Sequence, residues 1–188
     1  MKPIHNKIWQ IALPYLKKGK KKDFVLHTNM VVKGMELLLK KEKGNKDILI
    51  PAAILHDTGW ANVPVYLQKA KDASRARKAM ELHLQYSIPI NREILSNFGF
   101  ANGEIKKIID IILSHKFKNP RDLNKRLLID ADTLSDIFKE QFYSDARMYG
   151  LLPEEFYHVR KDNRFYTETA KDIFHTELNR RAKEIGID

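Results

Sequence analysis

The sequence predicts an all-α fold, and three observations point there. Apolar residues recur at helical spacing in segment after segment, as at Ile105, Ile108, Ile109 and Ile112. Residues that start or stop helices stand between those segments, among them Asp23, Gly44 and Pro153. No alternating strand pattern interrupts them. The first helix is expected over residues 4–18, with apolar positions 4, 8, 11, 12, 15 and 16 and a kink at Pro14. Asp23 caps a second helix that reaches about residue 42 and is closed by Gly44. Asp47 caps an apolar third helix, which Gly59 ends. Residues 60–72, with Pro64, read as a loop. A long helix follows over 73–98, bent or broken near Pro89. Asn102 starts the next, and residues 117–124, with Pro120, form a loop. Residues 127–149 read as one helix, Pro153 opens another, and 169–185 closes the chain.

A chain of 188 residues, 43% hydrophobic and 31% charged, has the length and composition of one ordinary globular domain. It contains no cysteine, which excludes disulfides, thiolate metal sites and cysteine nucleophiles. Met1-Lys2-Pro3-Ile4-His5-Asn6 lacks the apolar stretch of a signal peptide. No segment approaches the roughly 18 apolar residues of a membrane span. A cytoplasmic location without a membrane partner is the expectation. The net charge of +10 favours anionic partners. Much of it lies in Lys17, Lys18, Lys20, Lys21 and Lys22 and in Lys40, Lys41, Lys43 and Lys46, which read as solvated helix ends. A nucleic-acid surface is the weaker reading, because no aromatic residues interleave the charges.

The most specific chemistry lies at the end of the apolar third helix. Eight small or aliphatic residues, Ile48 to Leu55, run directly into His56-Asp57-Thr58-Gly59. A carboxylate in so dry a place needs a cation or a metal. Neutral imidazole beside carboxylate suits divalent first-row ions. Further ligands follow from helical spacing. His27 shares a face with Met30, Val31, Gly34 and Leu38, and Gly34 there admits a close backbone. His83 has Met80 and Ser87 one turn away, and His115 follows Ile108 and Ile112. Asp132 sits among aliphatic residues in Leu127-Leu128-Ile129-Asp130-Ala131-Asp132-Thr133-Leu134. Asp130 points about 200° away from it, and is read as an acceptor for a ligand imidazole. His5, His158 and His175 have polar or irregular surroundings and are assigned to the surface.

His27, then His56-Asp57, then Asp132, over about residues 23 to 140, resembles the HD superfamily of metal-dependent phosphohydrolases. The resemblance implies one helical domain over 1–188, with a metal-binding core at about 23–140 and a helical extension at about 150–188. It implies hydrolysis of a phosphate ester or anhydride, commonly of a nucleotide, with one or two divalent ions (Fe, Mn, Mg, Zn or Ni). His83 and His115 match the two extra histidines of subgroups with dinuclear centres, where the Asp of the doublet bridges both metals. Some cyclic-dinucleotide phosphodiesterases of the superfamily carry His-Asp-x-Gly-Lys and a Gly-Tyr-Pro signature. Here Trp60 follows Gly59 and no Gly-Tyr-Pro occurs, so that substrate class is disfavoured. The segment Tyr166-Thr167-Glu168-Thr169-Ala170-Lys171 is faintly similar to the end of small bacterial members.

The implied mechanism runs through metal-activated water, whose pKa falls from about 15.7 toward about 7. Asp57 would bridge metals and orient the attacking water. Lys116, Arg75, Arg77 and Lys78 are candidate cations for the phosphoryl oxygens. Trp60 and Phe117, each close to a candidate ligand, are candidates to flank a base or sugar. Two other classes share the ligand set: an HD-type di-iron oxygenase, and a non-catalytic nucleotide-binding protein. The abundance of lysine and arginine favours the hydrolase.

Overall fold

The computed structural model describes residues 2–187. Met1 and Asp188, the ends of the expected unit, lie outside the described residues. The fold is all-α, with no strand among the described residues. The helices are α1 (Pro3–Lys18), α2 (Phe24–Leu38), α3 (Lys46–Leu55), α4 (Val65–Gln68), α5 (Ala73–Asn97), α6 (Asn102–Ile112), α7 (Leu123–Ser135), α8 (Lys139–Tyr149), α9 (Pro153–Arg160) and α10 (Glu168–Ile185), and a 3-10 turn covers Thr58–Asn62.

α3 is the axis of the fold. Every residue from Ile48 to Leu55 is buried, and α1, α2, α6 and α7 pack around it. This is why its sequence is apolar on all sides rather than on one stripe. α2 lies against α7 through Gly34. A Cβ there would stand 3.3 Å from the Ala131 carbonyl oxygen, so the close approach expected of this glycine is made. The 3-10 turn lies against α5 in the same way. A Cβ on Gly59 would stand 1.9 Å from the His83 carbonyl oxygen and 2.7 Å from the Ser87 nitrogen. Glycine is obligatory there because the obstacle is backbone, which cannot rotate away.

The helix ends differ from expectation in five places, one of them α7, which starts at Leu123 under an Asp122 cap, within the expected loop and ahead of residue 127. α2 stops at Leu38 and unwinds through turns to residue 41, short of residue 42. Asn45, not Asp47, caps α3, accepting from the Asp47 N–H at 2.9 Å. The stretch 60–72 is largely ordered into the 3-10 turn and α4 rather than a loop. The expected helix 127–149 is two helices, which turn a corner at Asp136, Ile137 and Phe138. There Ile137 N–H bonds Leu134 O and Phe138 N–H bonds Ser135 O. Ile137 and Phe138 are both fully buried, so apolar burial makes the corner without glycine or proline. Conversely, α5 runs through Pro89 unbroken. The Asp23 cap is as expected, its carboxylate accepting from the Val25 and Leu26 N–H groups.

His5 corrects the surface assignment. It is 2% exposed and shares the buried stripe of Ile8, Ala12 and Leu16 on α1. Its Nδ1 accepts from the Lys2 N–H, and Asp47 stands 3.8 Å from its Nε2. The spacing 5, 8, 12, 16 is helical and carries this signal. His158 and His175 are exposed as expected.

Candidate metal centre

Five elements deliver side chains to one point inside the bundle. α2 supplies His27. The end of α3 supplies His56, and the first residue beyond it supplies Asp57. α5 supplies His83, the turn after α6 supplies His115, and α7 supplies Asp132. All six are buried, between 0% and 8% exposed.

Asp57 stands in the middle, and its two oxygens face different partners. Oδ2 lies 3.4 Å from His27 Nε2 and 3.3 Å from His56 Nε2. Oδ1 lies 3.6 Å from His83 Nε2 and 3.8 Å from His115 Nε2. Asp132 joins the first group, with Oδ1 3.1 Å from His27 Nε2 and 3.9 Å from His56 Nε2. Two sets of ligand atoms, His27, His56 and Asp57 on one side and Asp57, His83 and His115 on the other, are each compact enough to hold one ion.

The far ring nitrogens determine which nitrogen faces inward. His56 Nδ1 donates to Ala53 O at 2.8 Å and His115 Nδ1 to Ile112 O at 2.5 Å. The Ser135 hydroxyl donates to Asp132 O at 2.7 Å, which leaves its oxygen to accept from His27 Nδ1 at 3.1 Å. With Nδ1 protonated, each Nε2 presents a lone pair to the centre. Trp60 adds a further support. Its indole N–H donates to Asp57 Oδ1 at 3.1 Å, and its ring stacks on His83 with centroids 4.6 Å apart.

Burial dominates the titration of three imidazoles. It lowers His27 and His83 to about 4, with Lys22 adding to it at His27. It drives His115 well below the ordinary value. At His56 burial also acts downward, but the adjacent Asp57 carboxylate outweighs it and the pKa rises. Asp57 and Asp132 lie well below the usual carboxylate range. Burial opposes their ionisation, and is overcome chiefly by His56 at Asp57 and by Lys116 at Asp132. The centre therefore holds ionised carboxylates and mostly neutral imidazoles. Among the described residues, the buried Nε2 atoms of His83 and His115 have no hydrogen-bond partner. Such lone pairs are costly unless something binds them. The donor set fits a divalent cation of the borderline class.

The remaining candidates fall in different places. Lys116 is at the site: its ammonium contacts Asp132 Oδ2, and its side chain is 31% exposed. Arg75, Arg77 and Lys78 are exposed on α5. Arg75 faces Asp72 at 3.7 Å and Arg77 faces Glu81 at 3.1 Å, so neither pairs with the ligand carboxylates. Phe117 is 51% exposed, with Arg77 5.0 Å from its ring centre. Trp60 is 3% exposed against His83 and Phe24, which leaves it no open face for a base. Asp130 does not serve an imidazole. It accepts from the Tyr166 and Thr167 N–H groups and from the Thr167 hydroxyl, and so anchors the start of α10.

The sequence reasoning missed Ser135, Gln68 and Lys21. Gln68 is buried, and its amide donates to Trp60 O and Val63 O while its oxygen accepts from the Lys20 N–H. Lys21, assigned to a solvated run, is half-buried, with its ammonium 4.8 Å from the Trp60 ring centre. Only the polar spacing around Ser135, three residues after Asp132 on one helix, offered a sequence signal.

A family model described as HD domain matches residues 24–137. No curated protein and no solved structure matches the chain. The matched segment contains all six clustered residues. Among the described residues, no helix is long and apolar enough to cross a membrane.

Proposed function

Because the chain belongs to the HD domain family, whose members are mostly metal-dependent phosphohydrolases, we propose that it hydrolyses a phosphate ester or anhydride, with a nucleotide as the expected substrate class. The observation that carries this reading is the Asp57 carboxylate, shared between two histidine pairs and held by Trp60. His27, His56, Asp57 and Asp132 would hold one divalent ion, and Asp57, His83 and His115 a second. A bound ion would lower the pKa of a water and polarise a phosphoryl oxygen.

The chain's own residues supply the rest. Asp57 orients the attacking water, with Trp60 and His56 keeping the carboxylate in place. Lys116 stands beside both Asp132 and His115, where its ammonium meets charge developing on phosphoryl oxygens. Phe117, exposed two residues past His115, offers a face for a base, with Arg77 beside it. The dry walls of α3 and α6 strengthen each of these interactions.

The test is turnover of a nucleotide panel, and of a chromogenic phosphodiester and monoester, by protein loaded with Mn, Ni or Fe. Release of phosphate or monophosphate that disappears in Asp57→Ala supports the reading. Oxygen uptake by the iron-loaded protein, without phosphate release, would replace it with the oxygenase reading. Tight nucleotide binding without turnover would replace it with a binding role.

A further inference from the structure

Among the described residues Lys21 forms no ion pair, and its ammonium lies 4.8 Å from the Trp60 ring centre. It is half-buried, in the short connection between α1 and α2. Burial lowers its pKa first, and the Lys22 and Lys116 ammoniums add to that, while Asp57 and Asp132 act in the opposite direction. Trp60, the ring against the Lys21 ammonium, itself donates to Asp57 Oδ1 at 3.1 Å, so one side chain separates Lys21 from the centre. Lys22 acts on His27. Lys21 and Lys22 lie against the stacked Trp60 and Phe24 rings and, among the described residues, pair with no carboxylate, whereas the Lys116 ammonium is neutralised by Asp132.

The position is built. Lys20 N–H donates to Gln68 Oε1 at 2.6 Å, and the same buried amide donates to Trp60 O and Val63 O. One side chain thus clamps the Lys21 connection to the turn that carries Trp60. Gly19 lets the chain press against Phe24, where a Cβ would stand 2.3 Å from the ring. A desolvated cation without a counterion, held next to two like charges, is unfavourable in the free protein. It becomes favourable when a polyanion enters.

We propose that Lys21 is a substrate-positioning residue that takes a second phosphoryl group, so that the site prefers diphosphates and phosphoanhydrides to simple monoesters. This rests on the hydrolase reading for its context, since Lys116 and the centre take the reacting phosphoryl group. Lys21 touches the reacting atoms only through the substrate's remote phosphate, and its effect falls on KM more than on kcat.

The experiment uses methylenediphosphonate and methylphosphonate, which cannot be hydrolysed, at a fixed excess of free Mn²⁺. Affinity is measured by calorimetry. Trp60 fluorescence in a Trp9→Phe background reports whether the Lys21 side of the site is engaged. Wild type should bind the diphosphonate about tenfold more tightly than the monophosphonate, the worth of one charged hydrogen bond. Lys21→Gln should erase that preference and the fluorescence change, with manganese content unaltered, and Lys21→Arg should restore most of it. Gln68→Ala, which unclamps the connection, should weaken the diphosphonate in the same direction. Equal loss for both ligands, or none, in Lys21→Gln overturns the proposal. A wild type that turns over phosphate esters while Lys21→Gln is unchanged sinks the Lys21 role alone. A wild type that binds the diphosphonate through Lys21 but turns over no phosphorylated compound sinks the hydrolase reading alone.

Discussion

The two halves of the metal centre are built differently. On the His27–His56 side, two carboxylates face two imidazoles, and both rings are held through Nδ1, by Ser135 and by the Ala53 carbonyl. On the His83–His115 side, Asp57 is the one carboxylate within 4 Å among the described residues; His115 is held through Nδ1 by the Ile112 carbonyl, but His83 chiefly by stacking on Trp60. More negative charge and firmer ring orientation mean tighter ion binding. The difference leads to the expectation that an ion on the first side would be held tightly, whereas the second side would leave coordination open for water and substrate. Asp57 is where the halves meet, and its loss should affect both.

That asymmetry can be broken outright at Asp57. Asp57→Ala should remove nearly all bound metal and at least about 10³-fold in turnover, with helical content retained. Elemental analysis with circular dichroism checks both. The next largest effect separates the halves. His56→Ala should cost the tight ion, while His83→Ala should keep about one ion per chain and lose the weaker one. Equal loss in the two variants, by metal titration, would erase the distinction.

Gly59→Ala acts on the second half through backbone. A Cβ 1.9 Å from His83 O forces α5 outward, which should cost about 1–3 kcal/mol of stability and weaken the second ion more than the first. Thermal melts with and without Mn²⁺ measure the two effects.

Protonation sharpens the comparison in the metal-free protein. His27 and His83 titrate near 4 when folded and near 6.5 when unfolded, so below about pH 6.5 the unfolded chain binds more protons. His115 acts in the same direction, and His56, whose pKa is raised, acts against it. The contribution of His27, His83 and His115 is therefore complete above about pH 6.5 and falls as pH drops toward 4, whereas that of His56 is present below about pH 6.5 and lost as pH rises through its raised value. A melting temperature that rose over that window would contradict the assignment of neutral rings. The smallest effect is at Ser135. Ser135→Ala frees the His27 ring and should weaken the first ion about tenfold, with the second ion little changed. Competition with a chelator reads this.

How much of this was legible in the sequence depended on periodicity. His27, His56, His83, His115 and Asp132 each sat on an apolar stripe, so helical spacing alone turned them inward. Gly34 was readable for the same reason, since a glycine on a buried face marks a close backbone. Lys21 and Gln68 were not readable. They lie in connections without period, and a contact 48 residues distant in sequence, Lys20 to Gln68, decides where the cation goes. Asp130 was placed correctly on the opposite face from Asp132, but its partners, 36 and 37 residues onward, lie beyond any local pattern. The corner between α7 and α8 was hidden because Ile137 and Phe138 continue the apolar pattern through it.

The central claim is that one carboxylate, Asp57, serves two ion sites. An anomalous-difference map of crystals grown with manganese tests it most directly. Two peaks roughly 3.5–4 Å apart are expected, one among His27, His56 and Asp132 and one between His83 and His115, with a different Asp57 oxygen toward each. A single peak at full occupancy in excess manganese, or peaks that leave Asp57 uncoordinated, would contradict the account.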